Sequence, residues 1–170
     1  MSDDSEPLPP DAPVNIEAVD PADDRARHCL RRYFADLDQR FDTGFDPAGS
    51  IPADLDDMRP PAGTFLLATI GSEPVGCGAL KFHTGAATEL KRMWVDPSAR
   101  RVGLGRRLLV ALEATARAAG SSTIHLETNH TLTEAIAMYR SAGYREVPAF
   151  NDETYADHWF EKDLAARPPG

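Results

Sequence analysis

Glu89-Leu90-Lys91-Arg92-Met93-Trp94-Val95-Asp96-Pro97-Ser98-Ala99-Arg100-Arg101-Val102-Gly103-Leu104-Gly105-Arg106-Arg107-Leu108-Leu109 reads as a strand, a turn, a glycine-bearing loop and the first turn of a helix. Two glycines one residue apart let a backbone come close to a ligand. The amides of the loop and helix start point outward, with the positive end of the helix dipole behind them. Arg100, Arg101, Arg106 and Arg107 surround these amides, so the segment suits a ligand with several negative charges, such as a pyrophosphate. The alternative reading is a polar helix start with solvated arginines.

Working outward, Leu104 to Ala119 has an amphipathic pattern, with Leu104, Leu108, Leu112, Ala116 and Ala119 in one stripe and Glu113 able to pair with Arg117 four residues on. Gly120 stops this helix. Thr123 to Thr128 follows as a strand. Thr131-Leu132-Thr133-Glu134 reads as a capping box opening a helix on which Ala135, Met138, Tyr139 and Ala142 share a face, and Gly143 ends it. Tyr144 to Val147 and His158 to Leu164 read as two closing strands around a polar loop.

Toward the N-terminus, Thr64 to Ile70 and Val75 to Phe82 flank the hairpin signal Gly71-Ser72-Glu73-Pro74. Val14 to Val19 reads as a first strand. Asp20-Pro21-Ala22-Asp23-Asp24 reads as a helix start with Asp20 as cap, and Leu30, Tyr33, Phe34, Leu37 and Phe41 form the inward face of a helix reaching about Arg40. Phe41 to Pro61 is irregular around a short helix near Ala53 to Met58, and is either a substrate-side loop or a structural connection. The order is strand, helix, three-strand meander, helix, strand, helix, two strands, which is a mixed α/β sheet in one domain over residues 14–164. Residues 1–13 and 165–170, rich in Pro and polar residues, are expected to be disordered tails.

The chain has 170 residues and a formal net charge of −9, with the acidic excess in the first quarter and near Asp54 to Asp57. That balance argues against general nucleic-acid binding and suits a cationic substrate. Cys29 and Cys77 lack metal-ligand spacing and read as buried thiols; Cys77 among small apolar neighbours has no base to make a thiolate nucleophile. No histidine has a ligand partner at useful spacing, so no metal is expected. With no basic start before an apolar run and no apolar stretch long enough to cross a bilayer, a soluble cytoplasmic protein is expected, with no membrane partner.

Arg100-Arg101-Val102-Gly103-Leu104-Gly105, between a strand and a helix, resembles the acetyl-coenzyme A signature of the GCN5-related N-acetyltransferase (GNAT) superfamily. Ala135-Ile136-Ala137-Met138-Tyr139-Arg140-Ser141-Ala142-Gly143-Tyr144 resembles that family's helix with its tyrosine and closing Gly-aromatic pair. The resemblance covers Val14 to Leu164. It implies a mostly antiparallel central sheet flanked by helices, with a splay between two central parallel strands. It further implies acetyl-CoA as cosubstrate, its pyrophosphate on the amides of Val102 to Arg107 and its pantetheine arm along Met93, Trp94 and Val95. Many relatives carry Asn seven residues before the tyrosine; Leu132 stands there, and Asn129 or Thr131 would take over its contact. A homodimer is implied by analogy only, since no interface is legible.

The activity implied is acetyl transfer to a primary amine by direct attack. An alkyl ammonium of pKa ~10.4 must lose a proton before it attacks, and a thiolate with a conjugate acid near 8.5 must be protonated as it leaves. The resemblance assigns the acid to Tyr139. Glu89, at the start of the central strand, and Glu127, near the end of the next, are both candidate bases, the alternative being salt bridges to Lys91 or Arg92. The oxyanion would meet a strand amide, that of Met93. Asn151, Tyr155, His158 and Trp159 are candidates to line the acceptor pocket, with a small-molecule amine favoured over a protein acceptor. Two rival readings stand beside this one. A non-catalytic acetyl-CoA sensor would use the same binding residues. A nicotinamide-binding Rossmann enzyme fits poorly, because Leu108 replaces the third glycine of GxGxxG and the preceding strand is too polar to be a buried parallel one.

Overall fold

The computed structural model describes residues 13–49 and 55–164; the expected tails at 1–12 and 165–170, together with Ala53 and Asp54, lie outside the described residues, as do the side chains of Arg101 and Val102. Strands β1 (Val14–Ala18), β2 (Gly63–Ile70), β3 (Glu73–Lys81) and β4 (Thr88–Val95) form an antiparallel run. β5 (Thr123–Thr128) lies parallel to β4, and β7 (His158–Asp163) and β6 (Arg145–Val147) complete one sheet in the order β1-β2-β3-β4-β5-β7-β6. Helices α1 (Asp24–Arg40), α2 (Leu104–Ala118) and α3 (Thr133–Ser141) flank it.

Both faces of the sheet are covered, which is why β2 reads as a continuous apolar run. Phe65, Leu67, Cys77, Ala79 and Trp94 pack against Ala26, Cys29 and Leu30 of α1. On the other face, Leu66, Leu80 and Leu90 pack against Leu108, Leu109 and Leu112 of α2 and Tyr139 of α3. Helix α2 comes so close to β3 that a Cβ on Gly78 would sit 2.6 Å from Leu112 Cδ1, so only glycine keeps this spacing.

Three local signals are used differently from their sequence reading. The cap of α1 is Asp23, which accepts from Arg25 N; Asp20 instead closes the preceding turn, its carboxylate taking Ala22 N at 2.8 Å and Arg59 at 3.0 Å. The capping box of α3 does not form: Leu132 is the cap, without a side-chain cap bond, while Thr131 bonds Asn129 and Glu134 pairs with Arg40 at 2.6 Å. Long-range partners outcompete a local cap worth about 1 kcal/mol. Likewise Glu113 turns inward to Lys162 of β7 at 2.6 Å, and Arg117 donates to the Leu164 carbonyl at 3.3 Å.

Two features of β4 open the sheet at its centre. Its pairing with β5 is confined to Thr88↔Ile124 and Glu89↔His125, after which β4 stays with β3 and β5 with β7, so the two strands part. Its register against β3 shifts between Cys77 and Ala79, and within this bulge Arg92 holds φ 58°. The Cys77 thiol donates to the Arg92 carbonyl at 3.2 Å.

Because the Glu113 side chain is only 6% exposed, removing either end of its ion pair strands a charge. Lys162 retains 23% exposure, so Glu113→Ala should cost roughly 2 kcal/mol, below the range for a fully buried pair, read as a lower urea midpoint. Glu113→Leu combined with Lys162→Met should recover most of that loss.

Candidate active site

The end of β4 leads into the cofactor-side wall. Asp96 accepts from Ser98 N at 2.9 Å and opens a 3₁₀ turn, Pro97–Val102, where the sequence reading had a loop. Gly103 follows with φ 69° and ψ 25°, a left-handed conformation that glycine adopts without strain, and α2 begins at Leu104 with no side-chain cap. The first amides of a helix lack intrahelical carbonyl partners, so this uncapped start presents N–H donors to a ligand. A cavity of about 300 Å³ opens beside it, bounded by Met93, Trp94 and Val95 of β4, by Arg100, Gly103, Gly105 and Arg106, and by Tyr139. A Cβ on Gly103 would meet no protein atom within 4 Å, so the space over that residue is open to a ligand. A pyrophosphate fits this donor set. Among the residues expected here, Leu104 is instead fully buried in the core, and Arg107 is exposed away from the cavity wall.

A second cavity, of about 120 Å³, lies where β4 and β5 part. Glu127, on β5 just past the last β4 pairing, lines it with Lys91, Arg92, Glu153 and a set of aromatic rings. Burial pushes the Glu127 carboxyl above the ordinary carboxylate range, opposed by the nearby Lys91 charge and reinforced by those of Glu89 and Glu153. Asn151, whose Oδ1 accepts from Trp159 Nε1 at 2.9 Å, lowers the Glu127 carboxyl slightly.

Tyr139 belongs to both walls, as do Tyr33, Leu37, Met93, Leu132 and Ala135, so the two cavities meet at the tyrosine. Its side chain is 6% exposed, and its hydroxyl donates to Met93 Sδ at 3.7 Å, a weak bond easily exchanged for a better acceptor. Burial raises its phenol well above the ordinary value, so it keeps its proton at neutral pH. The neighbouring Tyr33 is pushed up to about 12 for the same reason.

The other candidates divide. Tyr155 and Asn129 line the second cavity, Asn129 Nδ2 donating to the Tyr155 carbonyl at 2.8 Å. Thr131 stands behind Asn129, giving it a hydroxyl hydrogen bond at 2.8 Å. Asn151 and Trp159 bond each other outside the cavity lining, and His158, also outside it, is paired with Glu146 at 2.7 Å. Glu89 sits at the paired end of β4, 3.0 Å from His83 Nε2 and 3.8 Å from Lys91. Residues that the sequence reading did not single out include Arg92, Phe45 and Glu153. The helical spacing of Tyr33, Leu37 and Phe41 marked an inward face, but periodicity does not separate a cavity wall from a core.

The model of the acetyltransferase (GNAT) family matches residues 18–144. The chain is 44% identical over 122 residues to an IAA acetyltransferase of Azospirillum brasilense, covering 71% of this chain and 75% of the relative. Among solved structures, a GNAT-family acetyltransferase of Staphylococcus aureus Mu50 superposes with TM-score 0.74 at 20% identity, over 89% of this chain and 99% of the other. An aminoglycoside 6'-N-acetyltransferase complexed with coenzyme A does so with TM-score 0.65 at 21% identity, over 91% and 99%. At those identities the structures report the shared fold.

The Glu127 environment has a thermodynamic signature. Its native carboxyl binds a proton more readily than the unfolded one, so stability falls as pH rises from the unfolded pKa through the folded one, and the penalty is complete above both. Glu127→Gln removes that penalty while keeping the size and shape of the side chain. In urea unfolding the variant should be more stable than wild type at about pH 8, and the advantage should vanish below the ordinary glutamate value of about 4.3.

Proposed function

The chain belongs to the acetyltransferase (GNAT) family, and from that membership we propose that it transfers the acetyl group of acetyl-CoA to the primary amine of a small molecule. The observation that carries this reading is the meeting of two cavities at Tyr139, one opening on an uncapped helix start beside arginines, the other lined by a half-buried carboxylate. Acetyl-CoA supplies an electrophilic thioester whose sulfur leaves as a thiolate. The pyrophosphate is held by the amides at Leu104 to Arg106 and by Arg100 and Arg106, and the pantetheine arm runs along Met93 to Val95 toward Tyr139.

Glu127 takes the proton from the incoming ammonium, leaving a nitrogen lone pair free to attack. Its raised pKa strengthens it as a base, and the part-buried site weakens competition from water. Between the two candidate bases, Glu127 faces the acceptor cavity, whereas Glu89 is engaged with His83 outside it. The Met93 amide, beside the Arg92 bulge, donates to the carbonyl oxygen as it gains charge. The Tyr139 hydroxyl donates its proton to the departing sulfur and regains one from the second proton that the nitrogen sheds as the amide forms, while the first, held by Glu127, leaves to solvent. Asn129 and Thr131 brace the far lip of the cleft.

Thiol release on mixing acetyl-CoA with an amine library tests the activity. Tyr139→Phe keeps the ring and removes only the hydroxyl, so acetyl-CoA affinity should hold while kcat falls on the order of 10²-fold. Unchanged kcat in that variant would remove Tyr139 as the acid, and cofactor binding without thiol release for any amine would make the protein a sensor. For the cofactor side, Gly103→Ala should strain the left-handed turn and set a methyl group in the ligand's space. Calorimetry should then show acetyl-CoA binding weaker by about tenfold, roughly 1.4 kcal/mol.

A further inference from the structure

The acceptor cavity is walled on one side by rings. Phe45 and Tyr155 meet at 4.8 Å between centroids, Phe41 and Tyr155 stack at 5.6 Å and 25°, and Phe34 stacks on Phe45 at 5.6 Å and 10°. These residues come from the end of α1, the segment after it and the β6–β7 loop, and two hydrogen-bonded contacts hold the wall together. Asp46 N donates to the Tyr155 hydroxyl at 3.0 Å, and Asn129 ties the Tyr155 carbonyl to the end of β5. A wall fixed in advance presents aromatic faces at little ordering cost.

The polar side of the cavity is electrically balanced. Glu127 and Glu153 face Lys91 and Arg92, the Arg92 guanidinium lying 4.7 Å from the Phe34 ring centre. Such a lining lacks the net negative charge that a polycation needs, although the surface of the whole chain is acidic. The cavity volume of about 120 Å³ is close to the roughly 150 Å³ of an apolar cavity that accepts benzene, so it suits a single ring.

We propose that the acceptor is an arylalkylamine: a single aromatic ring set against Phe41, Phe45 and Tyr155, with a short arm carrying its amine to Glu127 beside Tyr139. This assignment rests on the acetyl-transfer reading above and names the substrate class of the same site. The ring stacks or meets edge to face with the wall, and the amine, anchored by Glu127, is presented to the acetyl carbon.

The test compares 2-phenylethylamine, 2-cyclohexylethylamine and spermidine as acceptors, with thiol release giving kcat/KM and calorimetry giving amine affinity. Phenylethylamine should be preferred over spermidine by at least about tenfold, and over the saturated ring by several-fold. Phe45→Leu should raise KM for phenylethylamine about tenfold with KM for acetyl-CoA little changed, and Tyr155→Phe, which keeps the ring, should retain more of the aromatic preference than Tyr155→Leu. Preference for spermidine overturns the inference and leaves acetyl transfer standing, as does an aromatic preference unmoved by Phe45→Leu. Phenylethylamine binding that weakens in Phe45→Leu, without thiol release, upholds the aromatic site and overturns acetyl transfer.

Discussion

The parting of β4 from β5 is the constraint on which the site depends. Two neighbouring strands normally saturate each other's backbone groups along their length, yet here pairing is confined to Thr88↔Ile124 and Glu89↔His125. Past that point β4 follows β3 into a bulge at Arg92 and β5 follows β7, so a wedge opens inside an otherwise continuous sheet. Tyr139 of α3 and Tyr33 of α1 line this wedge, and Glu127 lines its β5 side. A fully paired β4–β5 edge would leave no room there for a ligand arm or a nucleophile.

The same wedge sets the electrostatics. Half-burial of Glu127 among rings raises its proton affinity, and deeper burial of Tyr139 raises that of the phenol further. In the proposed reaction the two take opposite roles, the carboxylate accepting a proton and the phenol, kept protonated by its burial, giving one. Asn151 and Trp159, joined by a hydrogen bond at 2.9 Å, do not line the Glu127 cavity.

Much of this was legible in the chain. The two glycines of the Arg100–Gly105 segment, the amphipathic stripe of α2 and the Tyr139 face of α3 are local patterns, and the strands and helices lie within a residue or two of their expected positions except at the start of α1, whose cap falls three residues later. Readings failed where a polar residue had both a local and a distant partner. Asp20, Glu134 and Glu113 were each expected to serve nearby and instead reach Arg59, Arg40 and Lys162 through charge-assisted hydrogen bonds, exposed for the first two and part-buried for the third.

The sequence by itself determined the order of elements, the apolar faces and the glycine-bearing helix start, since these follow from periodicity, turn chemistry and glycine spacing within about twenty residues of chain. Tertiary structure alone decided which carboxylate lines the central cavity, because Glu89 sits where β4 and β5 still pair and Glu127 beyond the point where they part. It also decided the aromatic wall: Tyr155 lies more than a hundred residues beyond Phe41 and Phe45, and the three become one surface only when the β6–β7 loop folds over the end of α1. A contact between distant segments leaves no periodic trace in either of them, so no local pattern could have disclosed it.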